Sequence, residues 1–280
     1  MNETTPRQPE APREFGLIIV GDEILSGRRA DKHLPKVIEL LNARGLTLAW
    51  SVLVGDDRRR ITRVLEDAFS GGDIVFSCGG IGATPDDHTR QCAAAALGVP
   101  LALHPEARAL IEQRMKDLAA EKGEPYNPGH PDNVHRLNMG VFPAGARIIA
   151  NPYNRIPGFS CDGRGGGVVH FVPGFPVMAW PMIENLLDQD YRPLHRHGAW
   201  REHSVVVKGA MEAALTPLME AIEGQHPVKV FSLPSVDHPE HGRHIELGVK
   251  GEPSAVAVAF ADLMLGLRHA GAELGPEMVR

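Results

Sequence analysis

Residues 77–89 read Ser77-Cys78-Gly79-Gly80-Ile81-Gly82-Ala83-Thr84-Pro85-Asp86-Asp87-His88-Thr89. An apolar run at 73–76 precedes this stretch and a small-residue pattern at 91–97 follows it, which predicts the order strand, glycine loop, helix. Three glycines within four positions let backbone N–H groups approach a ligand closely. The helix start adds unpaired donors and the positive end of its dipole. The stretch therefore predicts an anion site.

Two carboxylates, Asp86 and Asp87, stand at the mouth of this loop. They repel a bare phosphate, but they can hold a divalent cation that bridges to it. The loop on its own also fits a second interpretation, in which Asp86 is a plain helix cap and the glycines only make a tight turn.

Strands alternate with helices over the residues before this loop. The predicted strands cover 15–20, 46–54 and 73–76, and the predicted helices cover 34–41 and 61–68. This alternation predicts an α/β fold, a three-layer α/β/α sandwich with a mostly parallel sheet. The strands that end before Gly21, Gly55 and Gly79 are expected to be near neighbours in it.

Acidic residues follow each of these three strands. They are Asp22 and Glu23, then Asp56 and Asp57, then Asp86 and Asp87 after the glycine loop. Because the carboxyl ends of parallel strands meet at one edge of the sheet, ligands bind there and these turns should converge. Three converging acidic turns favour a binding site over three unrelated caps.

Composition limits the function classes. The chain has 280 residues and a net charge of -6, which argues against nucleic acid as the main partner, because a phosphate backbone requires a basic face. Three cysteines without a CxxC spacing form no complete disulfide framework, which favours the cytoplasm. No apolar run reaches the ~20 residues of a membrane span. The polar, proline-containing residues 1–14 are expected to form a disordered tail.

The motifs resemble those of the molybdopterin-binding (molybdenum cofactor biosynthesis) domain family, and most of all the amino-terminal part of the competence/damage-inducible protein A family. The resemblance rests on Gly21–Gly27, Asp31, the 55–57 turn and Gly79–Thr89, taken in this order and spacing. It continues through Asn133, 142–146, 151–152 and 172–176, and so covers a domain at about 15–190.

This resemblance implies a phosphate-containing small-molecule ligand and a divalent metal ion of the Mg, Mn or Co type. Two function classes stay open: a metal-dependent pyrophosphatase acting on ADP-ribose-like nucleotide sugars, and a non-catalytic module that binds molybdopterin or a nucleotide. Asp87 is expected on the metal, and Asp86 is expected to cap the following helix. The candidate catalytic and metal-binding residues are Asp56 and Asp87, and the candidate ligand-binding residues are Gly21, Asp22, Glu23, Gly27, Asp31, Gly79, Gly80, Gly82, Thr84, Asp86, Thr89, Pro173 and Gly174.

The chain departs from the family pattern at three places. Ala83 stands where the glycine loop of relatives has a proline, Met178 replaces the acidic residue after the Pro-Gly-x-Pro turn, and His33 stands where relatives often have Asn.

Residues 200–275 predict a small α+β domain of the order β-α-β-β-α, joined through a linker at 191–200. Its last helix, 254–269, is apolar, and we expect a homo-oligomer in which this domain supplies a subunit contact. His238, His241 and His244 lie close together in a strand connection, and a solvated hairpin is favoured there over a zinc site.

Overall fold

The computed structural model describes residues 13–196 and 200–280. The chain divides into two compact units, and the division falls between Leu194 and His195. The predicted disordered tail lies outside the described residues except for its last two. Of these, Glu14 accepts a hydrogen bond on its carbonyl from the Ile74 N–H at 2.8 Å, so this end of the predicted tail is part of the sheet.

The strands and helices of the first unit alternate as predicted. Its strands are β1 (Phe15–Val20), β2 (Leu48–Val54), β3 (Ile74–Cys78), β4 (Leu101–Leu103), β5 (Val141–Pro143), β6 (Arg147–Ile149), β7 (Gly158–Asp162) and β8 (Val168–Val172). Its helices are α1 (Asp22–Leu25), α2 (His33–Asn42), α3 (Arg58–Ser70), α4 (Thr89–Leu97), α5 (Pro105–Glu121), α6 (Pro131–Leu137) and α7 (Pro176–Gln189).

The main sheet has the order β2-β1-β3-β8-β7-β6. Its first four strands are parallel, and β7 and β6 are antiparallel to their neighbours. The strands before the three acidic turns, β1, β2 and β3, are therefore adjacent. This confirms the prediction of a mostly parallel sheet with the three turns at one edge.

Helices cover both faces of this sheet. All six residues of β1 are buried, because alternate side chains enter different cores. Leu17 packs with α2 and α7 on one face, whereas Ile18 packs with α3 and α4 on the other. The three-layer α/β/α architecture follows from these two cores.

Two short elements of the first unit differ from the prediction. The loop predicted at Gly21–Gly27 contains the one-turn helix α1, and the excursion after Leu101 is anchored by pairing of β4 with β5. The loop at 124–131, for which a lid and an ordinary surface connection were both open, joins α5 to α6, and none of its residues lines the cavity described below.

The second unit is an antiparallel sheet with two helices. Its elements are β9 (Arg201–Lys208), α8 (Glu212–Gln225), β10 (Val228–His238), β11 (Gly242–Gly251), α9 (Pro253–His269) and β12 (Glu273–Val279), with the strand order β10-β11-β9-β12. The final strand was not predicted, because Gly275 and Pro276 interrupt its pattern and shift its register.

The apolar face of α9 packs within this unit. Phe260, Leu263 and Leu267 are buried in a core with residues of β9 and β11. The apolar face of α9, which motivated the prediction of a subunit contact, is therefore covered inside the unit. The homo-oligomer stays a prediction.

The histidine cluster lies at the tip of the β10–β11 hairpin, as predicted. The rings of His238, His241 and His244 have centroids 4.8–5.6 Å apart. His238 Nδ1 accepts hydrogen bonds from the backbone N–H groups of Glu240 and His241, both at 3.3 Å. This ring nitrogen is therefore occupied by the turn itself.

His170 on β8 is a buried polar residue of the first unit. Its Nδ1 lies 2.7 Å from Ser160 Oγ, and its Nε2 lies 2.5 Å from the Tyr191 hydroxyl. Burial, together with the charge of Arg147, lowers the pKa of His170 to about 3. The ring is therefore neutral in the folded protein at neutral pH.

We expect this histidine to make the fold acid-sensitive. Its folded pKa lies below the ordinary value near 6.5, so its contribution is constant above pH 6.5 and is lost as the pH falls towards 3. The free energy of unfolding should fall by ~1.4 kcal/mol per pH unit across this window relative to His170→Gln, which keeps polar atoms for both hydroxyls. Urea unfolding of both proteins from pH 7 to pH 4 tests this, and parallel curves would contradict it.

Candidate ligand site at the glycine loop

The glycine loop leaves β3 and is held by hydrogen bonds to β8 and to α4. The Gly79 N–H donates to the Val172 carbonyl of β8 at 3.0 Å. Thr89, at the first position of α4, is buried and ties the loop back: its N–H donates to the Gly80 carbonyl at 3.0 Å and its hydroxyl to the Gly79 carbonyl at 3.1 Å. The loop is thus fixed before any ligand binds.

The loop needs its glycines for its own packing. Gly79 has φ +105, and a Cβ there would lie 2.4 Å from the Val20 carbonyl oxygen. At Gly80, with φ +69, a Cβ would lie 2.1 Å from Thr89 Oγ1. At Gly82 a Cβ would lie 2.6 Å from Asp87 Oδ2. The contact with the backbone oxygen and the positive φ make a larger residue at Gly79 strained, whereas at Gly82 only the end of the Asp87 side chain would have to move.

Four consecutive backbone donors in this loop are unused. Within the described chain, the N–H groups of Gly80, Ile81, Gly82 and Ala83 donate no hydrogen bond, and all four residues line one cavity. Consecutive N–H groups without acceptors form a concavity that binds anions. The anion site stays a prediction, and these four N–H groups are the donors that it would use.

The cavity has a volume of about 400 Å³ and lies at the carboxyl edge of the sheet. Most of the predicted site residues line it. They are Gly21, Glu23, Asp56, Gly79, Gly80, Gly82, Thr84, Asp86, Asp87, Pro173 and Gly174.

Four predicted site residues lie outside this lining. Asp31 accepts hydrogen bonds from the His33 and Leu34 N–H groups at 2.8 and 3.0 Å and so fixes the start of α2. Thr89 is the buried tie described above. Gly27, with φ +71, lies in the turn after α1, and a Cβ added there would have no heavy atom within 4 Å. Asp22 is hydrogen-bonded to Asp56, which does line the cavity.

Asp22 and Asp56 hold each other across two turns. The Asp22 N–H donates to Asp56 Oδ2 at 2.9 Å, and the Asp56 N–H donates to Asp22 Oδ1 at 3.1 Å. Burial raises the pKa of the Asp56 carboxyl, and the nearby negative charges, among them Glu23, raise it further, against the lowering effect of the Asp22 N–H. Asp56 is thus the carboxylate whose charge is least stabilised by its surroundings.

Asp86 does not take its predicted capping role, and Asp87 is hydrogen-bonded within the loop. Asp86 was expected to cap the helix, but α4 begins at Thr89 with His88 at its N-cap and no side-chain capping bond. Asp87 instead closes a turn, because its Oδ2 accepts from the Thr84 N–H at 2.8 Å and from the Thr84 hydroxyl at 2.6 Å. Asp86 is exposed, and hydrogen bonding from the Thr84 side chain lowers its pKa. The capping role of Asp86 was therefore wrong.

Several lining residues were not predicted from the sequence. Arg29 brings a positive charge to the cavity, and Asn151, Asn154, Phe175 and Met178 come from distant segments. Asn151 is buried, and its amide donates to Asn154 Oδ1 at 2.8 Å and to the Ile156 carbonyl at 2.9 Å. The resemblance at 151–152 and 172–176 was the signal that could have found these residues.

Two of the departures from the family pattern lie at this site. The buried His33 has its Nε2 3.0 Å from the Gly174 carbonyl, so it supports the turn that lines the cavity. Met178 lines the cavity itself, and its sulfur accepts a hydrogen bond from the Asn154 amide at 3.3 Å. A thioether therefore stands where the family pattern places an acidic side chain.

The residues present fit a divalent ion that takes part of its ligands from water or phosphate. Among residues 13–196 and 200–280, no group of three His, Cys, Asp or Glu side chains is arranged to hold a metal by itself. Asp56 and Asp87 line the same cavity, and in each the Oδ1 atom accepts no hydrogen bond in the described chain. Mg²⁺ is commonly bound by one or two carboxylates with waters and substrate phosphates, and Asp56 and Asp87 are the carboxylates that would hold it here.

The chain belongs to the family described as "Probable molybdopterin binding domain", whose model matches residues 16–196. This confirms the resemblance found in the motifs, and the matched residues contain the glycine loop and the cavity.

Relatives support the same placement. A protein of Pyrobaculum aerophilum is 28% identical over 257 residues, which are 90% of this chain and 92% of that protein. A CinA-like protein of Anaeromyxobacter dehalogenans is 33% identical over 161 residues, which are 58% of this chain and 37% of that protein. A solved structure described as CinA of unknown function, from Thermoplasma acidophilum, has 28% identity and a TM-score of 0.53, and the match covers 63% of this chain and 98% of that one.

Two further properties bear on the predictions from composition. Cys78, Cys92 and Cys161 are all buried free thiols, and burial raises the pKa of Cys78 well above its usual range. In the described part of the chain, no helix has the length and apolar character needed to cross a membrane.

Proposed function

We propose that the first unit binds a phosphate-containing small molecule at the glycine loop and hydrolyses its phosphoanhydride bond with the help of a divalent ion, with ADP-ribose as the substrate class. The observation that carries this proposal is the set of four unused N–H groups, Gly80 to Ala83, in one cavity with the carboxylates of Asp56 and Asp87. Donors for a phosphate and ligands for a cation are thus brought together.

The chain's own groups have distinct roles in this proposal. The four N–H groups would donate hydrogen bonds to the phosphate oxygens, and Arg29 adds the positive charge of a lining side chain. A Mg, Mn or Co ion held by Asp56 and Asp87 would neutralise charge on the phosphates and polarise the attacked phosphorus. Its binding would also relieve the repulsion that raises the pKa of Asp56.

The proposed reaction is the hydrolysis of a phosphoanhydride bond. A water oxygen forms a bond to one phosphorus, the bridging P–O bond breaks, and the products are AMP and ribose 5-phosphate. The proton of the attacking water is released to solvent, and Asp56 and Asp87 act through the ion that they would hold.

A non-catalytic module that binds molybdopterin or a nucleotide is the second candidate. The family description favours it, and the same four N–H groups would hold the phosphate of a pterin without any reaction.

Release of AMP separates the two candidates. Purified protein is incubated with ADP-ribose and Mg²⁺, Mn²⁺ or Co²⁺, and parallel samples contain EDTA. We expect AMP in the samples with metal and none with EDTA, measured by ion-exchange chromatography. If calorimetry shows that ADP-ribose binds while no metal yields AMP, the hydrolase proposal fails and the binding module stands.

A further inference from the structure

A second cavity adjoins the site and differs from it in charge. It has a volume of about 320 Å³, and Ala83, Thr84 and Asp87 line both cavities. The first cavity contains four carboxylates, those of Glu23, Asp56, Asp86 and Asp87, against the single cation Arg29. The second contains Arg58, Arg90 and His88 against the single carboxylate of Asp87. The two sides of one loop segment thus have opposite electrostatic character.

Arg90 is the unusual group of the second cavity. Its side chain is 5% exposed, and it forms no ion pair with a carboxylate in the described chain. One of its terminal nitrogens donates to the Gly82 carbonyl at 2.6 Å, another donates to the Asn138 carbonyl, and its buried Nε has no acceptor. Both of its partners are neutral.

A buried guanidinium without a counter-ion is costly. Charges leave water only at a large free-energy cost, which a paired opposite charge offsets. Burial accordingly lowers the pKa of Arg90, and the charge of Asp87 only partly opposes this. Asp87 is in addition already engaged by two donors from Thr84. The structure therefore has an uncompensated positive charge at this cavity.

Other donors lie around the same cavity. The exposed Arg58, at the first position of α3, lines it, and the start of α4, which has no side-chain cap, contributes His88 and Gln91.

We infer that the second cavity is an anion subsite that binds a phosphate group without a metal ion, with Arg58 and Arg90 as its charged residues. This goes beyond the proposed function, which places a metal-bridged phosphate in the first cavity. The anion supplies the counter-charge that Arg90 lacks. It can be a free phosphate ion or a phosphate of the same ligand that occupies the first cavity.

The test is calorimetric titration of the full chain with inorganic phosphate in EDTA. Wild type is expected to bind, and Arg58→Gln to weaken binding at least ~10-fold, about the 1.4 kcal/mol of one lost charge contact. Arg59→Gln is the matched control, because it removes the same charge from the next residue of the same helix and does not line the cavity. It should change binding by less than ~2-fold, the effect of a distant exposed charge.

A competition experiment identifies the source of the anion. AMP is titrated with Mg²⁺ at rising phosphate concentrations. Competition that disappears in Arg58→Gln assigns the subsite to a phosphate of the ligand itself, and unchanged AMP affinity assigns it to free phosphate.

Two results would overturn the inference: wild type that binds no phosphate in EDTA, or equal weakening by the two arginine variants. Neither result predicts a change in the release of AMP from ADP-ribose with metal. The phosphate titration therefore tests the subsite, and the AMP assay tests the proposed function separately.

Discussion

Asp87→Asn is expected to abolish metal-dependent release of AMP from ADP-ribose while the protein stays folded. Loss of a carboxylate that holds the cation removes several kcal/mol of transition-state stabilisation, which corresponds to a rate at least ~10²-fold lower. The fold should survive, because an asparagine oxygen can still accept the two hydrogen bonds from Thr84. Initial rates with saturating Mn²⁺ and circular dichroism of the same sample measure both effects.

Asp57→Asn is the matched control for this variant. Asp57 follows β2 at the same edge of the sheet, but its Oδ1 accepts from the Arg60 N–H at 2.8 Å as the N-cap of α3, and it does not line the site cavity. Asparagine caps helices about as well as aspartate, so rate and stability should both stay near wild type. Equal rates in wild type and Asp87→Asn would remove Asp87 from the reaction.

Gly79→Ala should be strongly destabilising. The added methyl group would meet the Val20 carbonyl oxygen at 2.4 Å, and the residue has φ +105. Backbone strain and overpacking together predict a loss of ~2–5 kcal/mol in the free energy of unfolding, measured by urea denaturation. The phosphate donors would move with the loop, so AMP release should fall as well.

Gly145→Ala separates the two contributions. Gly145 also has a positive φ, +87, but nothing lies within 4 Å of its added methyl group. Only the backbone strain applies, so a loss of ~1–2 kcal/mol is expected. If both variants lose the same stability, the close approach of Gly79 to β1 has no energetic consequence.

The sequence was sufficient for the sheet and for the edge at which the site lies. A short apolar run bounded by a glycine turn, such as 15–20, indicates a strand covered on both faces, and parallel strands bring their following turns together. It was insufficient for the choice between Asp86 and Asp87. That choice depends on the turn that Thr84 makes with Asp87, and two adjacent acidic residues give the same pattern whichever of them closes it.

The sequence motifs also could not predict site residues that lie outside them in the chain. Arg29 lies in a turn of no special pattern, and Arg90 reads as an ordinary helix residue after Thr89. Its burial and its missing counter-ion depend on the packing of α4 under the 138–141 segment, which no local periodicity reports.

The exchange of hydrogen bonds between Asp22 and Asp56 has a consequence for binding entropy. Each carboxylate is oriented by the main chain of the other turn, so the rotamer of Asp56 is set when β1 and β2 pair during folding. The Asp56 side chain is therefore ordered before a ligand or ion binds. Its binding free energy does not include the ~0.5–1.5 kcal/mol that immobilising a free side chain costs. Loss of the Asp22 carboxylate would therefore be felt as weaker binding by Asp56, even though Asp22 itself does not line the cavity.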